Sequence, residues 1–155
     1  MRNRQKGFSL IELLIVVAII LIIAAIAIPN LLRSKIAANQ ASAVGSLRSL
    51  NTACIAYSTS YGTFPAALTN LGPVGSGNES STSADLIDSV LSAGTKSGYT
   101  FVYSPSSLNQ SYSITASPVT AATTGQNMYY TDQSGVIRSD TSGTGAGSAS
   151  TPIGN

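Results

Sequence analysis

The chain has 155 residues, eight Lys and Arg against six Asp and Glu, no His and one Cys. Without His there is no Ser/His/Asp triad and no histidine-bound metal, and one Cys makes neither an intramolecular disulfide nor a zinc knuckle. No glycine-rich phosphate loop followed by Lys and Ser or Thr is present, so the composition points away from an enzyme and toward a chain with no cofactor.

From the N-terminus, Arg2, Arg4 and Lys6 precede an apolar stretch, residues 8–28, in which only Ser9 and Glu12 are polar. Residues 13–28 are exclusively Ala, Val, Ile and Leu. As a helix, a segment of this length reaches roughly 31 Å, the thickness of a bilayer core. The basic flank predicts a single-pass membrane protein with a cytoplasmic N-terminus, although Arg33 and Lys35 beyond the span weaken the asymmetry. A cleaved secretory signal has the same basic and apolar regions, but Ile26-Ala27-Ile28-Pro29-Asn30 makes a poor cleavage site after the run. Glu12 is the anomaly, because a carboxylate toward the bilayer centre costs on the order of 2.5 to 3.5 kcal/mol on insertion scales.

The stretch Lys6-Gly7-Phe8-Ser9-Leu10-Ile11-Glu12-Leu13-Leu14-Ile15-Val16-Val17-Ala18-Ile19-Ile20 resembles the prepilin signal of type IV pilins and type II secretion pseudopilins. The resemblance is specific over residues 6–32. It implies that a prepilin peptidase removes residues 1–7 by cutting after Gly7. It further implies that the same enzyme N-methylates the new amino group of Phe8, and that Glu12 aligns each subunit with its neighbour in a helical filament. Gly7, lacking a side chain, lets extended backbone enter a protease cleft closely. Cleavage creates a cation at Phe8 within reach of a neighbouring Glu12, a pairing that sets register rather than adding net stability. Loss of Arg2, Arg4 and Lys6 leaves five basic residues against six acidic ones, so bulk charge gives no sign of nucleic-acid binding.

Residues 8–29 are expected to form the transmembrane or filament-core helix, continuing as an amphipathic helix to Tyr57 or Ser60. Its apolar stripe reads Ile36, Ala37, Ala41, Val44, Leu47, Leu50, Cys54 and Tyr57, with Arg33, Lys35, Asn39, Gln40, Ser46 and Arg48 largely off it. Cys54 reads as a small core residue. Pro29 removes a helical hydrogen bond and marks a kink, or a segment that melts as the subunit leaves the bilayer. Gly45 is a second weak point.

Residues 61–83 read as a loop in which Gly62 and Pro65 reverse the chain. Tyr57, Tyr61, Phe64, Pro65 and Leu68 resemble the helix-ending pattern of major pseudopilins and pilins, where aromatics cap the core. A short helix is expected over residues 83–91, with Ser83 as N-cap and Gly94 as stop. Strands follow at residues 99–103 and 112–116, then a second hairpin of residues 128–131 and 136–138 around Asp132-Gln133-Ser134-Gly135. The expected architecture is α+β: a long N-terminal helix, half membrane and half amphipathic, against a small antiparallel sheet of three to four strands, the lollipop of the pilin fold. Residues 30–138 form the periplasmic or extracellular head. Residues 139–155 read as a disordered Ser/Thr/Gly-rich tail whose end Pro152 and Ile153 are able to pin. Asn78 and Asn109 match the three-residue glycosylation pattern, a chance-level signal. Asp132 and Asp140 are the one candidate calcium pair, and read better as turn and surface residues, so no metal is expected.

The reading that follows is a structural subunit, held in the inner membrane and then assembled as a homo-oligomer into an extracellular type IV pilus. A major pseudopilin of a type II secretion system, in a periplasmic pseudopilus, is the alternative. Its partners are membrane lipid before assembly, the prepilin peptidase/N-methyltransferase, and an inner-membrane assembly platform with its ATPase. A monomeric membrane-anchored periplasmic binding protein is the reading from a different class; such a protein needs neither Gly7 before Phe8 nor Glu12 inside its span.

Overall fold

A computed structural model describes residues 8–154. The expected leader, residues 1–7, and with it Gly7, lies outside the described residues. The chain divides into two compact units, Met1–Lys35 and Ile36–Asn155. Helix α1, Leu10–Tyr61, contributes to both.

In the first unit, residues 13–28 of α1 are apolar around the whole circumference of the helix. An 18-residue window reaches a mean hydropathy of 3.3, and none of it is buried within the chain. A helix apolar on every face has no side suited to water, which marks it as a candidate membrane span rather than an amphipathic surface helix. Pro29 lies inside α1 and the helix is assigned without a break through it.

In the second unit, α1 buries Ala43, Ser46, Leu47, Leu50, Asn51, Ala53, Cys54 and Tyr57. The expected stripe holds from Leu47 onward. Ahead of it the buried face is rotated: Ala37 and Ala41 are exposed, Ala43 is fully buried, and Asn39 and Gln40 are half-buried. Polar contacts account for the rotation, since Asn39 donates through Nδ2 to the Thr124 carbonyl at 2.8 Å. Ser42 likewise bonds Ser97 at 2.9 Å. Hydrophobic spacing carries no information about such contacts. The helix stops at Tyr61, where Gly62 takes φ +80° and donates its N–H to the Ser58 carbonyl, a conformation most side chains resist.

Among the described residues the sheet has six strands, not three or four: β1 Thr95–Lys96, β2 Tyr99–Pro105, β3 Tyr112–Pro118, β4 Met128–Asp132, β5 Arg138–Asp140 and β6 Thr151–Pro152. They pair antiparallel in chain order, β1-β2-β3-β4-β5-β6. The register sets Phe101 opposite Ala116, and Ile114 opposite both Tyr103 and Thr131. Alternate residues Tyr99, Phe101, Tyr112, Ile114, Ala116, Tyr129 and Thr131 are thereby buried toward α1.

Three further expectations are corrected. Residues 83–88 are not helical, and α2 is confined to Ser89–Ser92. Ala84, Asp85 and Leu86 instead donate their N–H groups to Asn70, Gly72 and Leu71, the end of a 3-10 turn at Leu68–Leu71. Asp88, not Ser83, is the N-cap, accepting from the Leu91 N–H. β5 starts at Arg138 rather than Val136, leaving a five-residue connection from β4. The tail is ordered at its end: β6 pairs with β5, and the Ile153 N–H donates to the Ile137 carbonyl at 2.9 Å. Ile153 also packs on the core, so the anchoring assigned to it is found while the disorder is not.

The aromatic closure at the end of α1 is as expected. Tyr57 donates its hydroxyl to the Ser81 carbonyl at 2.7 Å, and Tyr103 to that of Pro65 at 2.8 Å. Phe64 meets Tyr112 edge-on with centroids 4.8 Å apart.

Candidate functional site

The residues bearing the sequence's sharpest chemistry sit at the start of α1. Phe8 is 85% exposed and precedes the helix, which begins at Leu10. Ser9 holds the N-cap place, its carbonyl accepting the Leu13 N–H at 3.3 Å. Glu12 turns back on its own chain: its Oε2 accepts the Ser9 backbone N–H at 2.9 Å. Ser-x-x-Glu is the capping-box spacing, in which the acid three residues into a helix satisfies the cap residue's otherwise unpaired donor. The helix dipole adds to the attraction, because the positive end of α1 faces the carboxylate.

Glu12 thus has a partner within its own chain, which the expectation of a charge in need of another subunit does not include. The signal in the sequence is Ser9-x-x-Glu12, set at the edge of the apolar run. One Glu12 oxygen is engaged by Ser9, and its other oxygen has no partner among the described residues.

Beyond Glu12, the flank from Leu13 to Ile28 offers nothing but aliphatic surface, with Leu21, Ile22, Ile23, Ile26 and Ile28 each more than half exposed. Apolar area on this scale has two solvents open to it, lipid or another apolar helix.

The remaining candidate groups are structural. Cys54 is fully buried, and desolvation pushes its thiol up to about 12, with the nearby Tyr112 hydroxyl acting more weakly in the opposite direction. A thiol in that state is not a nucleophile near neutral pH. Asp140 is wrapped by its own turn, accepting from the Ser142 N–H at 2.9 Å and the Gly145 N–H at 3.1 Å. Asp132 accepts from the Ser134 N–H at 2.9 Å in the same manner. The register puts Asp140 opposite Met128, at the other end of β4 from Asp132, about 13 Å along the strand. The two acids therefore hold separate turns. Among the described residues no three Asp, Glu or Cys side chains gather as a metal site. Asn78 lies in an exposed loop, and Asn109 occupies a turn with φ +52°.

A family model described as the prokaryotic N-terminal methylation motif matches residues 2–28. Over 50 residues the chain is 54% identical to the type IV major pilin protein PilA of Myxococcus xanthus, covering 32% of this chain and 23% of that protein. Over 39 residues it is 67% identical to the type IV wide pilus major component PilA4 of Thermus thermophilus, covering 25% and 29%. It is also 34% identical over 64 residues to the type II secretion system core protein G of Aeromonas hydrophila, covering 41% and 45%. The matches thus span from under a quarter to under half of these relatives' lengths. No solved structure matches the chain.

Proposed function

We propose that this chain, which carries the N-terminal methylation motif and is similar through it to type IV pilins and type II secretion pseudopilins, is a structural subunit of a helical filament and not an enzyme. The observation that carries the reading is a helix of membrane-spanning length, unburied within its own chain and interrupted by one carboxylate, Glu12. In this proposal the inner membrane stores the subunit with its N-terminus in the cytoplasm. A prepilin peptidase cuts after Gly7 and methylates Phe8, and a membrane platform with its ATPase moves the subunit from lipid into a core of like helices. Apolar contact with lipid is then exchanged for apolar contact with other copies, a transfer whose direction is set by packing and charge pairing rather than by the hydrophobic effect alone. The Phe8 amino group, free only after cleavage, is the cation for the unengaged oxygen of a neighbour's Glu12. Pro29 weakens the helix where melting would lengthen the subunit during that transfer.

Similarity to the core protein G of Aeromonas hydrophila favours a second reading of the same class, a pseudopilus subunit. The membrane-anchored monomer has no comparable support.

Replacing Glu12 by Ala, and separately Gly7 by a bulky residue, tests the two halves of the proposal. Gly7 replacement is expected to accumulate uncut precursor, visible as a mass larger by the leader. Glu12→Ala is expected to be processed yet to give little sheared filament. Normal filament yield from Glu12→Ala would end the assembly role of Glu12, and processing of the Gly7 variant would end the cleavage assignment.

A further inference from the structure

Of the eight charged residues in the unit Ile36–Asn155, five are matched locally. Lys96 pairs with Asp88 at 2.7 Å. Arg138 donates to the Ser150 carbonyl at 3.1 Å, while Asp132 and Asp140 are held by their own turns. Three charges are left with no ion pair or side-chain hydrogen bond among the described residues: one cation, Arg48, and two anions, Glu79 and Asp85.

Their settings are complementary. Arg48 is exposed on α1 at the edge of a groove of about 650 Å³, with Asn51 and Thr52 on the helix side and Val136, Ile137 and Ile153 on the other. Glu79 belongs to residues 75–82, a run of eight consecutive exposed residues, and Asp85 lies just beyond it, sharing a shallow surface depression with Asn78 and Glu79. This projection is tied down at its base. Ser80 and Ser83 exchange both backbone hydrogen bonds at 3.0 Å, and the Ser81 carbonyl accepts from Tyr57 at 2.7 Å and Asn70 at 3.0 Å. The Ser83 hydroxyl donates to the Pro73 carbonyl at 2.8 Å. An exposed loop fixed at its root loses little further freedom on docking.

We propose that the occupant of the Arg48 groove is a second copy of this chain, whose Glu79/Asp85 projection docks there and pairs with Arg48. The groove and the projection are lined by different residues of the same molecule, and a contact that joins one to the other head-to-tail propagates into an open helical array when the rotation does not close a ring. An exposed ion pair adds little affinity, but complementary charge repeated at every subunit fixes register and rejects slipped packings. The inference rests on the filament reading and adds to it a contact between heads, independent of Phe8 and Glu12.

Charge reversal tests it in the full chain. Arg48→Glu alone, or Glu79→Lys with Asp85→Lys, sets like charges together and is expected to cut sheared-filament yield on the order of tenfold, with the triple variant restoring it. All these side chains are exposed, and Asp85 alone has a strained backbone, at φ +52°, so Arg48→Glu and Glu79→Lys are expected to keep the head's thermal unfolding midpoint. A second measurement is independent of yield: in a Cys54→Ser background, filaments carrying Arg48→Cys and Glu79→Cys are expected to give a ladder of linked subunits with a short bismaleimide. Unchanged yield in the single-sign variants, failure of the triple variant to recover, or monomer alone after bismaleimide treatment would each overturn the pairing. Absence of filaments from the unaltered chain would instead overturn the filament reading, and the pairing with it.

Discussion

Asn51 is the strongest test of how the head grips its helix. It is 6% exposed on a face of α1 that otherwise buries mostly apolar residues, and both ends of its amide are used. Nδ2 donates to the Thr131 hydroxyl at 2.8 Å, and Oδ1 accepts from the Tyr112 hydroxyl at 3.1 Å. Thr131 is fully buried and Tyr112 nearly so. Asn51→Ala removes the common partner of two buried hydroxyls, each worth about 1 to 3 kcal/mol when orphaned. Higher helix propensity returns at most about 0.7 kcal/mol. The expected net loss is therefore about 2 to 4 kcal/mol, or roughly 10 °C in midpoint for a unit of this size. Urea unfolding followed by tyrosine fluorescence measures it, since the chain has seven Tyr and no Trp. Tyr112→Phe removes one of the hydroxyls that Asn51→Ala strands, so the double variant is expected to cost less than the sum of the singles by about 1 kcal/mol. An Asn51→Ala loss below about 0.5 kcal/mol, the range of ordinary surface changes, would refute the argument that this network holds helix to sheet.

Three more outcomes follow from the head. Gly125→Ala would drive a Cβ into the ring and hydroxyl of buried Tyr99, whose hydroxyl donates to the Asn127 carbonyl, so a loss of about 1 to 3 kcal/mol is expected in the same unfolding assay. Cys54, with its thiol pushed up to about 12 by burial, is expected to resist a maleimide at pH 7.5 until urea unfolds the head, and rapid labelling of the folded chain would contradict its placement. Asp88 is held below the usual carboxylate range, first by the Lys96 hydrogen bond and then by the Leu91 N–H. A depressed folded-state value means its contribution is present above the unfolded carboxylate range and is lost as pH falls through the folded value. Asp88→Asn is thus expected to weaken the head slightly at pH 7 and to reduce the fall in stability below about pH 4. A variant that loses as much stability in acid as the original chain would show that Asp88 does not contribute to that fall.

The features legible in sequence were those written in local periodicity. The apolar run, the strands at Tyr99 and Tyr112, and the reversal at Gly62 and Pro65 each follow from side-chain type over a few residues, and each is where it was expected. What was not legible depends on partners distant in the chain. Residues 83–88 have helix-compatible spacing, yet the N–H groups of Ala84 to Ile87 find the carbonyls of Asn70, Leu71 and Gly72, and no helix forms there. β5 and β6 have no alternating apolar pattern because both lie at the margin of the sheet, where pairing to a neighbour and one anchor, Ile153, suffice. Asn39 and Ser46 were set aside as polar, although the first is half-buried against Thr124 and the second is buried on the core face of α1. Within the candidate site, the motif singles out Phe8 and Glu12, while the bond from the Ser9 N–H to Glu12 is visible only in the structure.

That cap changes the energetic problem Glu12 poses. A carboxylate toward the middle of a bilayer faces a penalty of about 2.5 to 3.5 kcal/mol, whereas a hydrogen bond to a charged group contributes about 1.5 to 3 kcal/mol. Glu12 lies in the first turn of α1, where the dipole is also favourable, so its own chain offsets much of the cost. On the proposed function, a solitary subunit is then not an orphaned charge waiting for rescue. Assembly adds a cation to an oxygen left open rather than repairing a broken site, and the gain on pairing is correspondingly modest. A modest gain suits a subunit that must leave lipid for a filament: the carboxylate selects which neighbour and which register are allowed, while the aliphatic surface of residues 13–28 supplies the contact area. On the proposed function, the Ser9 N–H would account for the storage of Glu12 in the membrane, and the processed Phe8 amino group for its use.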